Sequence, residues 1–239
     1  GSINERFNLF KRCEKEGIIF IGAPYKAIRA MGDKISARKL MISAGVPVVP
    51  GTEQPLQSYE EALSTAKEIG LPVMIKASAG GGGKGIRIIR ELDELKNAYE
   101  SAISEATASF ANGIIYMEKL IEQPHHIEFQ VLADKHGNAV HLYERECSIQ
   151  RKHQKVIEET PSPYITDKIR HEMGEIAVRA AKAVAYEGAG TIEFLVDKDM
   201  NYYFLEMNTR LQVEHPITEE VLGVDLVKEQ INVANGNPL

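Results

Sequence analysis

Acidic, amide and basic side chains crowd into Glu206-Met207-Asn208-Thr209-Arg210-Leu211-Gln212-Val213-Glu214-His215, directly after the apolar run Tyr202-Tyr203-Phe204-Leu205. Strand alternation puts Glu206, Asn208 and Arg210 on one face of a strand and its exit. Thr191-Ile192-Glu193-Phe194-Leu195-Val196 reads as a partner strand, joined through a turn near Lys198-Asp199-Met200-Asn201. A hairpin symmetric about that turn sets Glu193 opposite Glu206, a pairing that like charges oppose. Two facing carboxylates and the Asn208 amide oxygen suit Mg²⁺, which takes one or two protein carboxylates and completes its shell with substrate phosphates. The bland alternative is a surface hairpin that tolerates the repulsion.

A second constellation is Ser78-Ala79-Gly80-Gly81-Gly82-Gly83-Lys84-Gly85. Gly80, Gly82 and Gly85 satisfy a G-x-G-x-x-G spacing, but the strand-like Ile86-Arg87-Ile88-Ile89 follows where a dinucleotide fold needs a helix. A Walker loop fails too, because Gly85 stands where Ser or Thr should follow Lys84. A strand, a glycine loop and a second strand instead describe a flap whose backbone N–H groups can close over phosphates. Lys76, ending the first strand, adds a cation. A flexible surface turn is the alternative, although four consecutive glycines weaken a hairpin kept for structure alone.

Further polar runs stand at Glu146-Cys147-Ser148-Ile149-Gln150-Arg151-Lys152-His153-Gln154-Lys155 and at 126–131. The first is too polar for a core. Arg151 and Lys152 suit a solvated basic face, whereas Gln150, His153 and Lys155 are candidates for a polyanionic ligand. On 126–131, His126, Glu128 and Gln130 share a strand face opposite Ile127, Phe129 and Val131. His126 is open to two readings, a ribose hydroxyl contact or a solvated sheet edge.

The elements that must position these groups alternate between strand and helix. A short buried strand is expected at 17–22 and a helix over 26–43, stopping at Gly45 and Pro47. A helix over 59–69 leads to strands at 72–76 and 86–89, then to a helix over 92–109. Strands follow at 114–117, 126–133 and 139–143, the last two hairpinned through Asp134-Lys135-His136-Gly137-Asn138. Over 167–186 a helix carries Ile169, Met173, Ile176, Ala177 and Ala180 as a core stripe, and a last helix covers 224–233.

Composition narrows the class. The chain has 239 residues, 44% hydrophobic and 26% charged, with a net charge of −6. That length supports a sizeable core, and that charge disfavours a general nucleic-acid binder. Cys13 and Cys147 form no CxxC pattern, so neither a disulfide framework nor a zinc site is expected. No apolar run reaches transmembrane length. A reducing compartment is expected, the cytoplasm first, with mitochondrion or plastid as alternatives.

Met31-Gly32-Asp33-Lys34, Lys76-Ala77-Ser78 with the glycine flap, Tyr116-Met117-Glu118-Lys119, 150–155 and 206–214 together resemble the ATP-grasp domain of biotin carboxylase, in that family's order. The resemblance covers essentially 17–239. It implies an α/β (α+β) ATP-grasp fold with a small glycine-flap subdomain at about 50–116 and a larger antiparallel-sheet subdomain. Residues 25–239 would be the ATP-grasp domain. Residues 1–24 would be a tag scar, Gly1-Ser2, and a remnant of the family's amino-terminal Rossmann-like domain. The family's carboxy-terminal domain, with the arginine that stabilises the biotin enolate, would be absent.

The resemblance also implies an activity. The family makes carboxyphosphate from MgATP (or MnATP) and bicarbonate, then carboxylates biotin held on a carrier protein or domain. Lys34, Lys76, Gly82 and Gly83 would hold phosphates. Glu118, Lys119, Leu120 and Ile121 would line the adenine hinge, with backbone groups at Lys119 and Ile121 meeting the base. His126, Gln150 and His153 would contact the nucleotide, His126 toward the ribose. Glu193, Glu206 and Asn208 would carry the metal. Bicarbonate would sit against Lys155, Arg210 and the backbone at Gln212 and Val213, with Glu214 as base.

Implied partners are the biotin carrier and a carboxyltransferase, in a parent that is a homodimer or part of a larger assembly, without nucleic acid or membrane. Acetyl-CoA, propionyl-CoA, methylcrotonyl-CoA and pyruvate carboxylases all use such a component. The alternatives are another bicarbonate-activating ATP-grasp ligase resembling carbamoyl-phosphate synthetase, or a nucleotide-binding module without turnover. As an excised piece, the chain is expected to turn over biotin poorly or not at all.

Overall fold

A computed structural model of the chain describes residues 3–32, 34–77, 86–110, 113–151 and 154–239. In order come α1 (Ile3–Lys15), α2 (Tyr25–Gly32), α3 (Lys34–Ser43), α4 (Tyr59–Ile69), β1 (Val73–Ala77), β2 (Ile86–Ile89), α5 (Leu95–Phe110) and β3 (Ile115–Lys119). Then follow β4 (His125–Ala133), β5 (Ala139–Arg151), β6 (Gln154–Glu159), α6 (Asp167–Ala183), β7 (Gly188–Val196), β8 (Tyr202–Asn208), α7 (His215–Leu222) and α8 (Leu226–Ala234). They form two compact units, Val49–Glu122 and the pair of segments Gly1–Val48 with Gln123–Leu239.

In the small unit β2-β1-β3 make an antiparallel sheet. Val73, Ile75 and Ala77 alternate inward on β1 and pack with Ile89, Ile115 and Met117 against α4 and α5. The Ser58 hydroxyl caps α4 by accepting from the Glu61 N–H at 3.1 Å, and Gly70, at φ +77°, ends it. Pairing from Val73–Ile89 to Lys76–Ile86 makes β1 and β2 the expected hairpin around the glycine loop. The loop itself, 78–85, lies outside the described residues.

In the large unit the sheet order is β6-β5-β4-β7-β8, all antiparallel. One face carries Ile127, Phe129, Val131, Ile192, Phe194 and Phe204 into a core closed by α2, α3 and α6. The expected α6 stripe is there, with Met173, Ile176, Ala177 and Ala180 buried and Ile169 packed beside them. The opposite face carries polar side chains and meets α7 and α8 at Thr218 and Val233.

Two expectations need correction. Residues 17–22 form no strand, and Ile18, Ile19 and Ile21 are exposed, because no neighbouring strand pairs with them among the described residues. The helix expected over 26–43 is met by α2 and α3, and residue 33 between them lies outside the described residues. The strand expected over 139–143 continues to Arg151 and returns as β6, so the polar run is a hairpin with Glu146 and Cys147 buried. Cross-strand partners, invisible to local patterning, make that burial tolerable.

Candidate active site

Register, more than proximity in sequence, builds the site. Arg145 pairs with Glu128, Glu128 with Glu193, and Glu193 with Glu206, so four adjacent strands carry one transverse row of charges. The last pairing is the one expected from the sequence, and a bulge makes it possible. Phe194 faces Phe204 while Glu193 faces Glu206, which leaves Leu205 as an extra residue on β8. Phe204 and Met207 are buried, and both Leu205 and Glu206 are exposed. With strict two-residue alternation, Glu206 would point with Phe204 into the core.

Lys155 reaches over this row from the edge strand β6. Its ammonium donates to Glu193 Oε1 at 2.7 Å, to Glu214 Oε1 at 2.8 Å and to the Glu128 carboxylate. Burial works against the Lys155 charge, but Glu128 and Glu193 hold its pKa far above the ordinary lysine range. Burial pushes Glu214 up, yet the Lys155 hydrogen bond, the Glu214 backbone N–H and the charges of Lys155 and Arg145 together hold that carboxyl below its usual value. Glu128 is raised by burial, against the pull of Arg145 and Lys155.

The metal candidates sit on the outer end of the row. Asn208 Nδ2 donates to Glu193 Oε1 at 2.8 Å, and its Oδ1 accepts from Arg210 Nη2 at 3.3 Å. Glu206 has no cationic partner among the described residues and accepts only from Asn208 Nδ2 at 3.5 Å, whereas Glu193 opposite it carries the Lys155 ammonium. An all-oxygen set of two facing carboxylates and an amide fits Mg²⁺ or Mn²⁺ chemistry. Among the described residues no group of three or more His, Cys, Asp or Glu forms a self-sufficient cage. An ion here therefore needs further oxygens from water or a ligand.

The remaining candidates divide by unit. Gln212 is buried and donates Nε2–H to Glu193 Oε1 at 3.1 Å, while Val213 beside it is 91% exposed. His126 is the second residue of β4, a central strand, is half-buried, and its backbone N–H donates to Ser148 Oγ at 2.9 Å. Gln150 Nε2 donates to the Cys147 carbonyl at 2.9 Å. In the small unit Lys76 pairs with Glu118, and Lys119 Nζ donates to the carbonyls of Gly70 and Leu71 at 2.9 and 2.7 Å. The Lys119 backbone N–H goes to the Pro50 carbonyl at 2.8 Å, so a base contact at Lys119 falls to its own carbonyl. Leu120 donates to Pro72, and Ile121 follows it in the chain. Lys34 opens α3, and its side chain, like Gly82, Gly83, Lys152 and His153, lies outside the described residues.

Sequence reasoning missed the middle of the row. Arg145 is fully buried, and no role was expected for it or for Glu128. The available signal was the polar alternation Glu128/Gln130 within an otherwise apolar strand, whose burial on both faces should have demanded a buried cation nearby.

Residues 33–239 match the family described as carbamoyl-phosphate synthase L chain, ATP binding domain. The chain belongs to that family. Within it, this member is 54% identical over its whole length to Biotin carboxylase 2 of Bacillus subtilis, covering 54% of that protein. It is also 54% identical over its whole length to the chloroplastic biotin carboxylase of Arabidopsis thaliana, covering 44% of it. The crystal structure of a biotin carboxylase–βγ-ATP complex from Campylobacter jejuni superposes with a TM-score of 0.86 at 50% identity, over 100% of this chain and 54% of that one. A biotin carboxylase domain of a thermophilic 2-oxoglutarate carboxylase bound to bicarbonate reaches a TM-score of 0.90 at 51% identity, over 96% of this chain and 50% of that one. The fold is thus the expected ATP-grasp fold, and the chain spans about half the length of the curated relatives it matches.

Proposed function

We propose that this chain is the ATP-grasp portion of a biotin carboxylase, which uses MgATP and bicarbonate to make carboxyphosphate and then carboxylates carrier-bound biotin. The observation that carries this reading is the Lys155 ammonium held at 2.8 Å from Glu214 and 2.7 Å from Glu193, beside the Glu193–Glu206 pair. Lys155 and the planar guanidinium of Arg210 provide the positive charge a bicarbonate needs, and Arg210 can meet two of its oxygens at once. Glu214, ionised at neutral pH, accepts the bicarbonate proton on its carboxylate as the oxyanion attacks the γ-phosphorus, and the bond from that phosphorus to the β,γ-bridging oxygen breaks to release ADP. Bicarbonate that takes over Lys155 as its partner would also relieve the hold on Glu214 and make it a better base.

Bound Mg²⁺, held by Glu193, Glu206 and Asn208, would offset charge on the transferring phosphoryl group. Lys34, Lys76, Gly82 and Gly83 are assigned to the phosphates, residues 118–121 to the adenine, and His126, Gln150 and His153 to the rest of the nucleotide, with bicarbonate along the backbone at Gln212 and Val213. By domain, 25–239 is assigned to ATP-grasp and 1–24 to what precedes it. Partners are a biotin carrier and a carboxyltransferase, in a cytoplasmic assembly or its plastid or mitochondrial counterpart. Among the described residues no helix is long and apolar enough to cross a membrane.

Glu214→Gln in the full-length carboxylase tests the reading. Bicarbonate-dependent ADP release should fall by about 10²–10⁴-fold while nucleotide binding is kept. Unchanged turnover would remove Glu214 from the mechanism. The family description supports a second reading, a ligase resembling carbamoyl-phosphate synthase. Stimulation of ADP release by free biotin separates the two, since only a biotin carboxylase has a use for it.

A further inference from the structure

Arg145 is buried completely at the centre of the large sheet, and the proposed reaction leaves it without a task. A guanidinium has five N–H donors in a rigid fork. All five are engaged inside the protein. Nε donates to Glu128 Oε1 at 2.6 Å, and Nη1 donates to Gln130 Oε1 at 2.8 Å and Thr218 Oγ1 at 3.0 Å. Nη2 donates to Thr191 Oγ1 and Gln212 Oε1, each at 3.3 Å. A group so completely engaged has no donor left for a ligand. Packing does not explain it either, because well-fitted apolar side chains usually serve as well as a buried ion pair.

Two of the five acceptors lead onward to the site. Glu128 bridges Arg145 and Lys155, one carboxylate oxygen to each. Gln212 bridges Arg145 and Glu193, with its oxygen on the guanidinium and its NH₂ on the carboxylate. A flipped Gln212 amide would set its donors against a cation and its oxygen against an anion, so the two charged neighbours decide its orientation. We propose that Arg145 is the positioning residue of this site: through Glu128 it holds the Lys155 ammonium, and through Gln212 it holds the Glu193 carboxylate. Assigning bicarbonate and metal to the held groups rests on the proposed function, but the positioning itself does not.

The test uses Arg145→Lys, which keeps the charge but has three donors and no fork. The 239-residue chain is pulsed with an amine-acylating N-hydroxysuccinimide ester, and modification of each lysine is followed by mass spectrometry. Lys155 should be acylated several-fold faster in the variant, while the exposed Lys198 reacts as before and the protein remains folded. In the full-length carboxylase the KM for bicarbonate should rise by about tenfold, the size typical of losing an outer partner of a ligand-holding group. Unchanged acylation of Lys155 overturns the inference. Faster acylation in an enzyme whose wild type lacks bicarbonate-dependent turnover upholds the positioning and overturns the proposed function instead. If Arg145→Lys does not fold, the pair Gln130→Met and Thr218→Val frees Nη1 while leaving every charge in place. The same faster acylation of Lys155 is then expected, and its absence overturns the proposal.

Discussion

Both units are built on antiparallel sheets, but they use the two faces of a sheet differently. In the small unit β1 alternates cleanly, with Val73, Ile75 and Ala77 inward and Met74 and Lys76 outward. Its functional candidates, Lys76 and Glu118, stand partly in solvent and pair with each other. In the large unit β4 is buried from Ile127 to Ala133 whichever way a side chain points, so Glu128 and Gln130 are enclosed with Arg145. The small unit's polar face needs only water and a ligand. The large unit's polar face must supply its own counter-charges, and each of them then constrains the next.

Mutations sharpen this contrast in descending order of effect. Arg145→Met should destabilise the chain by about 3–5 kcal/mol in urea unfolding, because it breaks a fully buried ion pair and leaves Glu128 only Lys155 as a cationic partner. Arg145→Met with Glu128→Gln should recover most of that loss, as a pair that fails additivity must. An equally unstable double variant would mean that packing, and not charge, governs the row. In the small unit Ile75→Ala, at a fully buried position, should cost about 2–5 kcal/mol through its cavity. Amide exchange should then accelerate in β1 and β3 while β4 and β7 stay protected. Loss of protection in both units would break the distinction between them.

The pH dependence tests the large unit alone. Glu214 has its folded pKa below the unfolded value, so it adds stability above the ordinary carboxylate range. That contribution disappears as pH falls through the lowered pKa. The stability gap between wild type and Glu214→Gln should therefore be full at neutral pH and shrink below about pH 4.3, near the unfolded glutamate value. A gap that persists at strongly acidic pH would assign the effect of the substitution to packing. The smallest effect is expected at Glu206→Gln. Removing one of two facing like charges should stabilise the metal-free chain by about 0.2–1 kcal/mol. The same variant should show a smaller thermal shift with MgADP, and a shift equal to wild type would remove Glu206 from the metal site.

Much of this was legible locally. The hairpin that sets Glu193 against Glu206 follows from two alternating strands and the polar turn between them, and the observed register agrees. The β1–β2 flap hairpin and the α6 core stripe were equally visible, because periods of 2.0 and about 3.6 residues are properties of the chain itself. What failed was partner-dependent. Residues 17–22 have the apolar content of a strand but find no strand to pair with among the described residues. The polar run after Glu144 looks unfit for a core until Ser148 and Ser162 are seen to satisfy the Glu146 carboxylate and Glu128 to meet Arg145.

The amino-acid sequence by itself therefore determined the elements, the family and the residue types of the chemistry: facing carboxylates, a phosphate flap and a basic run. Only the tertiary structure decided that Lys155 stands among Glu128, Glu193 and Glu214, and that Arg145 supports the arrangement from within. The reason is range. Side-chain periodicity acts over a few residues, whereas these contacts join β6, β5, β4, β7 and the start of α7 across as many as 73 positions, from Arg145 to Thr218. At those separations register, the Leu205 bulge and the electrostatics of a shared buried space decide which charges meet.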